Sequence, residues 1–151
     1  MSRESKVLNA YEWGVQETVS HYEAFGWELL SLNGKQITMS RETQNPVYTD
    51  LVKFQAKYEE KVNEYYALVP PTAPVKPARV KAKTCFYALL CFVIPLVVYV
   101  TYKVLQFKKY NEQLTAYNSA MDKYNAKRRE LRAEMEKIVL DSRVTFFAKQ
   151  S

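Results

Sequence analysis

Apolar and polar positions divide the chain into three patterns. From Thr84 to Tyr102, nineteen residues pass without a charge, bounded by Lys81 and Lys83 on one side and Lys103, Lys108 and Lys109 on the other. At about 1.5 Å rise per residue a helix of that length reaches roughly 28 Å, near the hydrocarbon thickness of a bilayer. The pattern predicts a single transmembrane helix over 84–102, with Tyr87, Tyr99, Tyr102 and the flanking lysines at its margins as interfacial anchors. Pro95 falls near the middle and reads either as a kink in a span or as the tip of a hairpin that leaves on the face it entered; the kinked span is preferred.

Beyond the apolar run, Phe107, Tyr110, Leu114, Tyr117, Met121, Tyr124, Arg128, Leu131, Met135 and Ile138 alternate three and four apart. No glycine or proline interrupts the chain after Pro95, so one long helix is expected to continue to about Asp141. A strict 3.5-residue period drifts off the face of a straight helix by about 20° per heptad, which argues for packing against another helix. Tyr-Asn recurs at 110, 117 and 124 within this stripe. The alternative is one amphipathic helix lying on a bilayer surface. The tail 142–151 leaves the heptad at Asp141-Ser142, with Val144, Thr145, Phe146 and Phe147 as continued or frayed helix, or as an edge strand.

Ahead of the apolar run the periods are shorter. Val15, Val19 and Tyr22 lie at helical spacing, and Gly26 follows where a helix would stop. Trp27, Leu29, Leu30 and Leu32 precede Asn33-Gly34, and Ile37, Thr38 and Met39 follow it, which predicts a hairpin with a two-residue type I′ turn. Residues 6–13 form either a first strand or the start of the helix; Gly14 favours the strand. Asn45-Pro46 opens a second helix over about 46–68, with Leu51, Phe54, Tyr58, Val62, Tyr65 and Leu68 as its stripe and Glu59, Glu60 and Glu64 outside. Four of the six prolines fall in 70–83, an extended spacer of polyproline character without an acidic residue.

The fold class expected is therefore a small α+β head, a β-hairpin with helices, joined to a single transmembrane helix that continues as a long coiled-coil-like C-terminal helix. Its parts are a head at 1–69, a linker at 70–83, a span at 84–102, a heptad helix at 103–141 and a tail at 142–151.

Charge follows these parts. The formal net charge of +6 is the balance of −3 over 1–69, +4 over 70–83 and +5 over 103–151. Basic residues beside the span, Lys76, Arg79, Lys81, Lys83, Lys103, Lys108 and Lys109, suit anionic lipid headgroups. They are four before the span and three after it, so orientation rests on the head, which lacks a leader. The expectation is a plasma-membrane protein with a cytosolic N-terminus. Basic residues interleaved with acids, without a recognised reading motif, do not point to nucleic acid.

Candidate chemistry is sparse. His21 is the one histidine and is expected at a surface or edge, and Cys85 and Cys91 lie in the apolar run. No metal set, phosphate loop or nucleophile–base spacing is present, so no catalytic, cofactor or metal residue is assigned. Trp13 and Trp27 read as core or as the lining of a groove. The residues expected to carry an interaction are Tyr110, Leu114, Tyr117, Met121, Tyr124, Leu131, Met135 and Ile138, through self-association or a protein partner. Arg128 at a core site, with Lys127 and Arg132 beside it, disfavours a simple parallel homodimer and favours an acidic partner helix. The helix carrying Glu59, Glu60 and Glu64 is one candidate, antiparallel to the arm.

Residues Gly26-Trp27-Glu28-Leu29-Leu30-Ser31, between a short helix and a strand ending in Arg41, resemble a small bacterial domain of unknown function whose signature is Gly-Trp-Glu-Leu-Val-Ser within a β-α-β-β unit. The resemblance covers residues 6–42 and implies no catalytic residue. Two function classes remain: a membrane-anchored, non-enzymatic interaction or assembly protein, and a regulatory subunit whose head binds a small ligand.

Overall fold

The computed structural model describes residues 2–79 and 93–148, with side chains from Val97 onward in the last helix. In chain order the elements are β1 (Arg3–Asn9), α1 (Val15–Glu23), β2 (Glu28–Asn33), β3 (Gln36–Glu42), α2 (Tyr48–Ala67) and α3 (Val93–Ala148). The chain separates into two compact units. One comprises residues 1–68 together with 128–151, and the other residues 69–127.

The first unit is built on a three-stranded antiparallel sheet of order β1-β3-β2. Strand β3 is central because Ile37, Met39 and Arg41 alternate toward the helices and are all buried, as period-two patterning requires of a covered strand. On the opposite face Arg3 bridges Glu28 at 2.6 Å and Glu42 at 3.9 Å. Helix α1 ends in a Schellman arrangement: Trp27 N–H donates to Tyr22 C=O and Gly26 N–H to Glu23 C=O. Gly26 has φ of +80°, the left-handed value this motif needs.

The hairpin forms, but its turn is displaced by one residue. Asn33 pairs with Gln36, so the connecting residues are Gly34-Lys35 and not Asn33-Gly34. Gly34 takes φ of +61° and, among the described residues, none other than glycine has positive φ, the signature of a II′ turn with glycine leading. The physical reason is cost: a type I′ turn would put Asn33 in the left-handed region as well, whereas this register asks only glycine to enter it. A bulge at Leu30 absorbs the shift and returns Leu29 opposite Met39.

Helix α2 is preceded by Asn45, whose Oδ1 accepts from Val47 N–H at 3.0 Å. Its Leu51, Tyr58, Val62 and Tyr65 are buried. The last third of α3 completes the core: Leu131, Met135 and Val139 are each at most 4 % exposed and cluster with Tyr22, Phe25, Trp27, Ile37, Met39, Tyr58, Val62 and Tyr65. The tail belongs to the same helix, since residues 142–148 are helical, and Ser142 Oγ donates to Ala24 C=O at 2.7 Å.

The single transmembrane helix, and with it the single-pass membrane placement with a cytosolic N-terminus, is corrected: no helix among the described residues is long and apolar enough to cross a membrane. The described part of the apolar run, Val93–Tyr102, has ten residues before Lys103. Residues 84–92 of the expected span, with Cys85 and Cys91, lie outside the described residues.

Two expectations follow for thermal unfolding of the full chain. Leu131→Ala should cost about 2–5 kcal/mol through the cavity it leaves, while Leu140→Ala on the exposed face should cost less than about 0.5 kcal/mol. Gly26→Ala should destabilise more than Gly34→Ala: both force a side chain into positive φ, but only at Gly26 would the new Cβ meet Leu51 Cδ1, at 3.0 Å.

Candidate functional site

Among the described residues three groupings of side chains stand out. The first is a polar network inside the head. Arg41, 4 % exposed, is carried inward by the alternation of β3 and is stacked on Trp27 and Tyr48, with its Cζ 4.5 and 4.9 Å from the ring centres. It donates from Nε to Glu4 at 2.6 Å and from Nη1 to the Phe25 carbonyl at 3.1 Å and Gln55 Oε1 at 3.0 Å. Trp27 Nε1 donates to the same Gln55 oxygen at 2.9 Å, and Gln55 Nε2 donates to Glu59 at 2.9 Å. Glu59 also accepts from Lys6 and from Tyr22 OH, the latter at 3.0 Å. Tyr22 has one proton and spends it there, so Tyr11 OH, 3.0 Å away, is the donor to Tyr22.

This network borders an open hollow of about 310 Å³ between β1 and α2, lined in part by Lys6, Tyr11, Tyr22, Glu59, Asn63 and Tyr66. Its titratable groups Glu59, Tyr11 and Tyr22 are shifted away from neutrality. Burial works to raise the Glu59 carboxyl, but the bonds from Lys6, Gln55 and Tyr22 outweigh it and hold the group below its usual range. Burial pushes the Tyr22, Tyr58 and Tyr11 phenols up. A general base or acid works best near neutrality, and these groups move away from it. The network reads instead as a largely paired polar core that fixes one arrangement of β1, β3, α1 and α2.

The second grouping seats the end of α3 on the head. Arg128 stacks on the Tyr65 ring at 4.5 Å and pairs with Glu12, which also accepts from Tyr65 OH. Arg132 lies 5.1 Å from the Trp13 ring and pairs with Glu17. Lys61 of α2 reaches Glu134 at 3.2 Å. Arg143 donates to the Ser20 carbonyl at 3.1 Å and hydroxyl at 2.7 Å. The pairs 61–134 and 65–128 descend along α3 as they ascend α2, so these helices run antiparallel.

His21 is not a surface residue. It is buried with Nδ1 2.8 Å from Tyr58 OH, and burial lowers its basicity. Glu17 and Glu136 oppose that shift, and Arg132 and Arg143 add to it. Helical spacing carried the signal: Thr18, His21, Tyr22 and Phe25 fall on one face, and all four are buried. Trp13 Nε1 and Ser40 Oγ are buried without a hydrogen-bond partner.

The third grouping lies in the second unit. From 108 to 127 of α3 the half-buried residues are Tyr110, Leu114, Tyr117, Met121 and Tyr124, with the intervening positions exposed. Along the linker, Pro71, Pro74 and Pro77 are half-buried and their neighbours exposed. Pro71, Thr72, Pro74 and Val75 share one groove with Gln113, Ala116, Tyr117 and Ala120, and Lys103 Nζ approaches the Ala78 carbonyl to 3.4 Å.

The interaction residues expected from the sequence thus fall in two places: Leu131, Met135 and Ile138 in or against the head core, and the remaining five in the second unit. Of the basic residues assigned to headgroups, Lys76, Arg79, Lys108 and Lys109 are exposed and Lys103 is half-buried; Lys81 and Lys83 lie outside the described residues. Among the described residues no cluster of three potential metal ligands occurs. Comparison with protein-family models, curated proteins and solved structures finds no match for the chain.

The buried histidine makes a pH prediction. Because burial holds His21 below its ordinary value of 6.5, the folded state prefers the neutral ring. Its contribution is full above that value and is lost as pH falls from it through the lower folded-state value. Glu59, also lowered, adds a second loss at more acid pH, below its ordinary 4.5. Denaturant melts of the full chain at pH 7 and pH 5 should show the first loss, and His21→Asn should reduce the difference between the two.

Proposed function

We propose that the chain is a non-enzymatic interaction or assembly protein, in which a small head holds one end of α3 and the remaining helix serves as the contact surface. The observation that carries this reading is an apolar collar at the start of the described shaft. Val97, Val98, Val100, Tyr102, Val104 and Leu105 are exposed to between 43 and 64 %. At 3.6 residues per turn these six positions span about 200° of the helix circumference, a face broader than one amphipathic stripe, with Tyr99 and Lys103 on the remaining side. An exposed apolar face of this breadth marks a surface that another apolar surface covers. In the head the hollow's polar groups are bonded largely to one another, which leaves less for a small ligand than the regulatory-subunit reading requires.

The partner fitted by this collar is another apolar helix, and a second copy of α3 is the simplest source. Sedimentation velocity of the purified full chain should show species heavier than the monomer. Val104→Asp with Leu105→Asp should return it to the monomer, while Ser119→Asp with Lys123→Asp, on the exposed side of the shaft, should not. A wild-type chain that remains monomeric and dissolved at increasing concentration would refute the reading.

A further inference from the structure

The linker is not a bare spacer. Its half-buried positions, Pro71, Pro74 and Pro77, recur every third residue, the repeat of a polyproline II helix. The three tyrosines of α3 recur every seventh, at 110, 117 and 124. One turn of polyproline II advances about 9.3 Å and one heptad of α-helix about 10.5 Å. Over the two repeats that join three prolines or three tyrosines, the two ladders diverge by only about 2.4 Å. They run in opposite directions, since Pro71 and Pro74 share a groove with residues 113–120 while Ala78 lies beside Lys103.

We propose that the face of α3 carrying Tyr110, Tyr117 and Tyr124 is a docking surface for a polyproline II segment, that the chain's own residues 69–79 occupy it, and that a proline-rich partner segment with acidic flanks displaces them. The chemistry is that of proline-rich recognition: flat aromatic faces accept the pyrrolidine rings, and a preformed polyproline helix loses little entropy on binding. Tyrosine suits the task because its hydroxyl stays wet while its ring is covered.

Charge identifies the displacing partner. The strap carries Lys76 and Arg79 and no acidic residue. The helix beneath it, 103–127, carries Lys103, Lys108, Lys109, Lys123 and Lys127 against Glu112 and Asp122. Cation therefore sits over a net-cationic shaft, and the seat is held by its apolar face and by tethering. A segment of the same proline spacing with carboxylates at the positions of Lys76 and Arg79 gains the attraction that the strap lacks.

This inference rests on the reading of α3 as a contact surface, but its test is separate. Two labelled peptides are titrated into the full-length protein and followed by fluorescence anisotropy: residues 69–79 as they stand, and the same peptide with Glu in place of Lys76 and Arg79. A full-length variant with Pro71, Pro74 and Pro77 changed to Ala supplies an unstrapped surface. A tethered competitor acts at an effective concentration on the order of millimolar, so the acidic peptide should bind the unstrapped variant roughly tenfold tighter, or more, than the wild type. It should also bind tighter than the basic peptide, with an advantage that shrinks as salt rises. Adding Tyr117→Ala to the unstrapped variant should abolish binding while leaving the melt of the head unchanged, because Tyr117 lies outside the head core. Equal affinity for wild type and unstrapped variant, or binding indifferent to Tyr117, would overturn the proposal. Loss of peptide binding with collar-dependent assembly intact would sink this inference and spare the reading beneath it.

Discussion

The first unit depends on one insertion: Leu131, Met135 and Val139 of α3 entering the head among Tyr22, Phe25, Tyr58, Val62 and Tyr65. A three-stranded sheet with one nine-residue helix and one twenty-residue helix has little interior of its own. A chain of some sixty residues buries only about 60 % of its unfolded surface, which leaves such a domain marginal. The third helix supplies the missing layer. Around it the charges are arranged to match: the head, −3 over residues 1–69, meets the arginines of α3 through Glu12 and Glu17. These half-exposed pairs contribute little individually. Their stacking on Tyr65 and Trp13 lays the flat guanidinium groups against aromatic faces and fixes where the helix sits.

Which parts of this were legible in the sequence follows from the range of the forces involved. The β-formers on either side of Asn33-Gly34, the helical stripe Leu51, Phe54, Tyr58, Val62, Tyr65 and Leu68, and Gly26 after the first helix are local signals, and a hairpin, α2 and the end of α1 lie where they stand. The turn was misplaced by one residue because Asn33 and Gly34 are both permissive, and only the bulge at Leu30 reveals which register keeps asparagine out of the left-handed region. Glu12 with Arg128, Glu17 with Arg132 and Ser20 with Arg143 are more than a hundred residues apart, and no local pattern announces them. His21 was read from its polar neighbours when its helical face held the answer.

The polar network of the head ties its titratable groups to one another. Glu59 has its oxygen filled by three donors, and the phenols near it are pushed toward higher pKa. Both changes make proton exchange near neutral pH harder. What the arrangement gains is uniqueness: Gln55 can accept from both Trp27 and Arg41 and donate to Glu59 in one orientation only. The hollow beside it inherits groups already engaged.

Along α3 one stripe serves two environments, and residue choice follows the degree of cover. Where the stripe enters the head it uses Leu131, Met135 and Val139, side chains without a polar atom that needs water. Where it is only half-covered, every seventh residue is tyrosine, which offers a broad ring to a neighbour and a hydroxyl to solvent. The change falls at Arg128, which is also where the two compact units divide. A helix meant only to bury its stripe against another would gain by leucine throughout. Tyrosine at 110, 117 and 124 is the choice for a contact that forms in the presence of water and can be released into it, and the proline ladder of 71, 74 and 77 has the spacing to make such a contact.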